Sequence, residues 1–94
     1  MMELLDWIRQ PKSVEILQAL DDGDPLTFNE LREKTKGSLT TIRKRRDEAE
    51  RLGFIEVNNI WQCHLHHLTS RGQRFLGWLQ KKIEDWEQEI EVLG

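Results

Sequence analysis

Cys63 is the only cysteine in this sequence, which excludes an intrachain disulfide and favours a reducing compartment. No apolar run approaches the roughly 18 residues that a membrane span needs. Met1-Met2 is followed by Glu3 and Asp6 rather than by the basic segment of a secretory leader. A soluble, cytoplasmic protein without a membrane partner is the expectation. Internal repeats, low-complexity tracts, a glycine-rich phosphate loop and a paired-carboxylate arrangement are also missing. Cys63 and His64 are neighbours that face opposite sides of a strand, so they form no nucleophile–base pair. No residue is assigned a catalytic role, and the chain reads as a non-enzyme.

The 94 residues form one domain, 1–94, near the lower limit for a core without metals, disulfides or a second subunit. A net charge of −3 argues against indiscriminate coating of nucleic acid, but the charge is unevenly spread. Lys34, Lys36, Arg43, Lys44, Arg45 and Arg46 fall in a stretch without an acid, whereas Glu84, Asp85, Glu87, Glu89 and Glu91 fall in one without a base.

Hydrophobic spacing gives the order of elements. Residues 1–10 predict a short N-terminal helix with Leu4, Leu5 and Ile8 on one side and Trp7 on its flank. Pro11 opens a second helix at its first position, with Val14, Leu17 and Leu20 inward, and Asp21 to Pro25 stops it. Thr27 and Glu30 make a capping box for a third helix reaching about Lys36, with Phe28 and Leu31 inward. After Gly37 the longest basic helix spans residues 38–52, capped by Ser38 and stopped by Gly53. Its helical angles place Leu39, Ile42, Arg46 and Ala49 on the packing side, Thr40, Arg43, Lys44, Asp47 and Arg51 outward, and Arg45 at the margin. Phe54 to Val57 and Ile60 to Leu68 predict a β-hairpin turning at Asn58-Asn59. From about Gly72, capped by Thr69 or Ser70, a last helix carries Leu76, Leu79, Ile83, Trp86, Ile90 and Leu93 at alternating spacings of three and four, a coiled-coil seam.

These motifs, T-x-x-E-L (Thr27, Glu30, Leu31), S-x-x-T-I (Ser38, Thr41, Ile42), L-G-F-I (Leu52 to Ile55) and L-T-x-x-G (Leu68, Thr69, Gly72), stand in an order that resembles winged helix-turn-helix transcriptional regulators. The likeness covers about Pro11 to Phe75 and is nearest to small bacterial and archaeal members related to the MarR, ArsR and PadR groups. It implies a mainly α fold with a small β-hairpin: a core over 11–70, a recognition helix over 38–52, a wing over 54–68 and a C-terminal dimerisation helix over 71–93. It also implies a prokaryotic-type, nucleoid-associated regulator that binds double-stranded DNA as a homodimer and has no cofactor.

Under that resemblance Arg43 or Lys44 reads guanine, Thr40 meets a thymine methyl, and Lys36, Ser38 and Thr41 hold phosphates. Asp47 and the wing pair Asn58 and Asn59 complete the expected DNA face. The expected dimer interface is Leu4, Trp7, Ile8, Leu79, Ile83, Trp86, Ile90 and Leu93. Two departures stand out. Arg46 occupies a position that relatives usually fill with leucine, and the expected wing turn carries no Lys or Arg. The Cys63-His64-Leu65-His66-His67 run attracts a metal reading, but strand alternation offers at most two ligands per face, so no metal site is assigned. An exposed or interfacial strand accounts for these histidines. The tryptophans Trp7, Trp78 and Trp86 read as packing partners, and any small-molecule effector is left open. Two other functions fit the same fold: a protein-interaction module gripping an acidic partner through the basic helix, and a non-specific chromatin-type protein.

Overall fold

The computed structural model describes residues 4–93, with side chains through residue 92. Met1 to Glu3 of the expected N-terminal helix, and the Leu93 side chain of the expected interface, lie outside the described residues. The order is α1 (Leu4–Arg9), α2 (Ser13–Ala19), β1 (Leu26–Thr27), α3 (Phe28–Thr35), α4 (Leu39–Arg51), β2 (Ile55–Ile60), β3 (Cys63–Leu68) and α5 (Ser70–Leu93). A mainly α fold with a small antiparallel sheet is thus observed, and the strand order is β1-β3-β2.

Local chemistry sets most boundaries. Thr27 accepts the Glu30 amide while the Glu30 carboxylate accepts the Thr27 amide, a complete capping box for α3. Those bonds hold the Glu30 carboxyl below its ordinary pKa, the Thr27 backbone amide contributing most. Ser38 Oγ accepts the Thr41 amide at 3.2 Å and starts α4, and Gly53 stops it at φ 80, a conformation that suits glycine.

Helix α2 begins at Ser13 and not at Pro11. Lys12 sits in the left-handed region at φ 70, which interrupts the helix that Pro11 would have opened. The buried Ser13 hydroxyl donates to the carbonyls of Trp7 and Gln10 and thereby satisfies the end of α1.

The wing differs from expectation at its turn. Asn58 and Asn59 are strand residues paired with Leu65 and His64, and the turn falls at Trp61-Gln62. Burial decides the register: Ile55 and Leu68 are partners and both face the core, at 2% and 8% exposure. Turning at Asn58-Asn59 would set Ile55 against Gln62 and leave Leu68 unpaired. Strand β1, two residues long, was not expected. It pairs Leu26 with His66 and Thr27 with Leu65, too short a run to show any period.

Trp7, Ile16, Leu17, Leu20, Leu31, Ile42, Ala49, Phe54, Ile55, Leu68 and Leu76 fill the core. The placement of Trp7 in an interface is corrected: it is fully buried within its own chain, 5.7 Å from Phe54 between ring centroids. Phe54 stacks on Phe75 at 4.6 Å, and Phe75 lies 6.3 Å from Trp78. Trp7 therefore reaches Trp78 only through two phenylalanines.

Thr69 joins the two ends of the wing. Its hydroxyl donates to the Gly53 carbonyl at 2.6 Å and accepts the Gly72 amide at 3.0 Å, capping α5. Gly72 packs so closely on the Phe54 carbonyl that a Cβ would stand 2.1 Å from its oxygen. Beyond Leu76, which is buried, and Leu79, which is half-buried, the side chains of α5 are exposed through residue 92. No helix among the described residues is long and apolar enough to cross a membrane.

Candidate nucleic-acid interface

The candidate surface is the outward side of α4 with the turn before it and the wing beside it. Lys36, at φ 55, ends α3, and Arg32 Nε donates to the Gly37 carbonyl at 3.4 Å to brace the turn. Ser38, Thr40, Arg43 and Lys44 are exposed, and Thr41 is half-buried beneath them. These residues come together on the first two turns of α4. None of the ion pairs among the described residues includes Lys36, Arg43 or Lys44.

The other basic residues of this stretch have internal duties. Lys34 pairs with Asp22 at 2.7 Å and donates to the Ala19 carbonyl, tying α3 to the end of α2. This contact holds the Asp22 carboxyl below its ordinary range, chiefly through the hydrogen bond from Lys34. Arg45, expected at the margin, is buried at 6% exposure and paired with the equally buried Glu48. Arg46, expected on the packing side, is only half-buried and lies across the face of Phe28 at 5.2 Å, while its guanidinium holds Asp47 at 2.9 Å. Helix α4 is therefore turned so that Ile42, Arg45, Glu48 and Ala49 face the core. A two-turn apolar count cannot fix that angle when two of the four inward residues are charged.

Phe28 is the residue that the sequence did not single out for this surface. It carries Arg43 at 5.7 Å as well as Arg46, which orients both guanidinium groups over one ring. Its position just after the Thr27 cap, at the start of α3 and beside β1, is the signal that was available. On its other side lies His66, with ring centroids 6.3 Å apart.

His66 corrects the expectation of exposed histidines. It is fully buried, its Nδ1 is 2.9 Å from the Leu26 carbonyl, and its Nε2 has no partner. The Leu26 carbonyl requires the proton on Nδ1, so Nε2 faces the interior bare. Burial holds the His66 pKa below its ordinary 6.5, opposed by the Leu26 bond and reinforced by the Arg46 and His64 charges. His64 is exposed, and His67 bonds Glu56 at 3.2 Å. Among the described residues no group of three or more His, Cys, Asp or Glu is placed to hold a metal ion.

Between α4 and the wing runs an open groove of about 450 Å³ lined by Phe28, Arg43, Arg46, Asp47, Glu50, Val57, Asn59 and His64. Asn59 is exposed and faces this groove, whereas Asn58 is half-buried and approaches His67 at 3.5 Å. Of the expected wing pair, only Asn59 adjoins the outward side of α4. Of the expected interface residues, Leu4 is partly exposed, Ile8 and Leu79 are half-buried, and Ile83, Trp86 and Ile90 are 49%, 65% and 65% exposed.

No protein-family model matches the sequence, and no curated protein matches it. Solved structures do match. The transcriptional regulator YodB from B. subtilis, in its reduced form, superposes with a TM-score of 0.78 and 19% identity, over 100% of this chain and 99% of that one. MepR, a transcription regulator of the Staphylococcus aureus multidrug efflux pump MepA, gives 0.81 and 18% over 96% of this chain and 70% of its own. MepR has also been solved in complex with DNA, and that structure gives 0.77 and 18%, over 95% and 76%. BpsR of Bordetella bronchiseptica, whose DNA binding is regulated by 6-hydroxynicotinic acid, gives 0.77 and 17% over 92% of this chain. The chain spans 64% of the length of BpsR. What is shared with these regulators is the winged helix fold with a long C-terminal helix.

Proposed function

We propose that this chain is a sequence-specific, double-stranded DNA-binding transcriptional regulator that acts as a homodimer, with the first half of α4 in the major groove. The observation that carries the reading is the division of charge on α4. Arg43 and Lys44 stand exposed without an ionic partner, whereas Glu48 is turned inward to Arg45 and Asp47 is held by Arg46. Two of the three acids interleaved with the bases are thus held within the helix, and the third, Glu50, stays exposed one turn or more beyond Arg43. The free cations lie where a recognition helix meets base edges. In this role Arg43 and Lys44 read bases, Thr40 contacts a thymine methyl, and Lys36, Ser38 and Thr41 hold phosphates. The fold shared with regulators of known DNA binding supports the same assignment.

Homodimerisation is supported by α5. Ile83, Trp86 and Ile90 keep a spacing of three and four residues along a helix whose own chain leaves them exposed. A second helix of the same spacing fits that seam, and partly exposed Leu4 extends it. Two copies would also double the cationic surface and match two half-sites about one helical turn apart.

Selection of bound sequences from a random duplex pool tests the proposal directly. A palindromic consensus is the expected result. Recovery of sequences indistinguishable from the starting pool would remove sequence specificity, and an empty recovery would remove DNA as the partner.

A further inference from the structure

The tip of the wing is built unlike a turn chosen for stability. Trp61 and Gln62 are the two residues of a hairpin loop in which both φ angles are positive, 53 and 65. Glycine, asparagine and aspartate fill such positions readily, and a bulky aromatic residue there is an outlier. Asn58 and Asn59, which would tolerate that geometry, stand three residues earlier in β2. The strained turn holds Trp61 94% exposed, with Ile60 46% exposed and Cys63 exposed beside it. Backbone strain retained at a loop tip points to use rather than to packing.

Charge narrows the partner. From Leu52 to Ser70 there is no Lys or Arg, and Glu56 is the single acid. The wing therefore brings no lysine or arginine to a phosphate. It nevertheless borders the cationic helix. Asn59 and His64, the cross-strand pair adjoining the Ile60–Cys63 pair, share one groove with Arg43 and Arg46. An uncharged, aromatic projection thus stands beside the face assigned to base reading.

We propose that Trp61 is a DNA wedge. On the reading of α4 as a duplex-binding helix, on which this inference rests, the wing tip enters the minor groove flanking the major-groove site. The indole inserts at a base step there, and the Gln62 amide donates to the acceptors on the groove floor. Apolar side chains inserted from the minor groove unstack a step and kink the duplex, and they need no phosphate neutralisation to do so. Pyrimidine–purine steps yield most easily, so Trp61 adds a preference for TA or CA at the flank of each half-site, outside the bases that α4 touches.

The test uses the full chain with a selected duplex labelled at both ends by a donor–acceptor pair, in a series that moves one TA step through the flank or replaces it with a stiff A-tract. Wild type, Trp61→Phe and Trp61→Asn are compared. Asparagine suits a positive φ, so Trp61→Asn keeps the turn and melts at the wild-type temperature or above. Wild type is expected to bend the duplex and to prefer one TA position, and Trp61→Phe to keep most of the bend. Trp61→Asn is expected to abolish the bend, lose the TA preference and bind about tenfold more weakly. Unchanged bending and affinity in Trp61→Asn would overturn the wedge and leave duplex binding standing. If wild type binds no duplex at all, the wedge falls together with the reading beneath it.

Discussion

Arg45 and Glu48, three residues apart on α4, form an ion pair in the interior with side chains 8% and 7% exposed. Arg45 Nε has no partner of its own, so the guanidinium depends on Glu48 for its compensation. Removing one member leaves an uncompensated buried charge. Glu48→Ala is expected to cost about 3–5 kcal/mol in urea unfolding. Replacing both, Arg45→Met with Glu48→Leu, is expected to fall within about 1 kcal/mol of wild type or above it. Equal losses in the single and double variants would mean that the side chains matter for packing and not as a pair.

His66 gives the fold an acid-sensitive point. Its native pKa is lowered from 6.5, so below that value the unfolded chain takes up a proton that the folded chain resists. The contribution of neutral His66 is fully present above about pH 6.5. It declines as pH falls from there, and it is lost once the pH has dropped through the lowered native value. Melting temperature against pH should fall across this window in wild type and fall less steeply in His66→Leu, whatever the absolute stability of that variant. Parallel curves would clear His66 of the effect.

Gly72→Ala should be among the most damaging small substitutions. The added methyl meets the Phe54 carbonyl oxygen at 2.1 Å, and both partners are backbone held by Thr69. A loss of about 2 kcal/mol or more is expected in chemical denaturation. Gly77→Ala, on the open side of α5, meets nothing within 4 Å and is expected to gain up to about 1 kcal/mol from helix propensity.

Arg43→Ala and Lys36→Ala should separate base reading from phosphate holding. Losing Arg43 is expected to cost about 1–3 kcal/mol on the selected site and to relax specificity at one position. Losing Lys36 is expected to weaken all duplexes alike and to reduce the slope of log affinity against log salt by about one unit. Titrations at three salt concentrations on selected and random duplexes distinguish the two patterns.

Ile83→Asp with Ile90→Asp should leave the domain folded and give monomers. Both positions are exposed in the single chain, so helix content by circular dichroism is expected to stay near wild type while light scattering reports half the mass. An unchanged mass would refute α5 as the dimer seam.

Caps and spacing make the fold legible in the sequence. Thr27 with Glu30, Ser38, Gly53 and Thr69 each mark a boundary through chemistry carried by one or two residues, and those boundaries are found within a few positions. The wing turn and the rotation of α4 were not legible in the same way. Asn58-Asn59 is the better local turn, but the shared burial of Ile55 and Leu68, thirteen residues apart, overrules it. Arg45 defeats an apolar pattern because its inward position depends on Glu48 accompanying it. Trp7 misled for a related reason: a tryptophan on a short terminal helix looks available until the core is seen to close over it. On the candidate surface, the outward placement of Thr40, Arg43 and Lys44 followed from helix geometry alone. Phe28 did not, because its meeting with two arginines depends on how α3 packs across α4.

The hydroxyl of Thr69 fastens the end of α4 to the start of α5, and Gly72 leaves no slack between them. At 24 residues, α5 is roughly 36 Å long, and its root is clamped to the wing base. In a dimer joined along α5, a few degrees of scissoring between the paired helices would swing each reading head as a rigid lever. The span between the two heads would then be set by the crossing angle of the shafts, so a molecule wedged between them, or a shift in their register, would alter operator fit without deforming either domain.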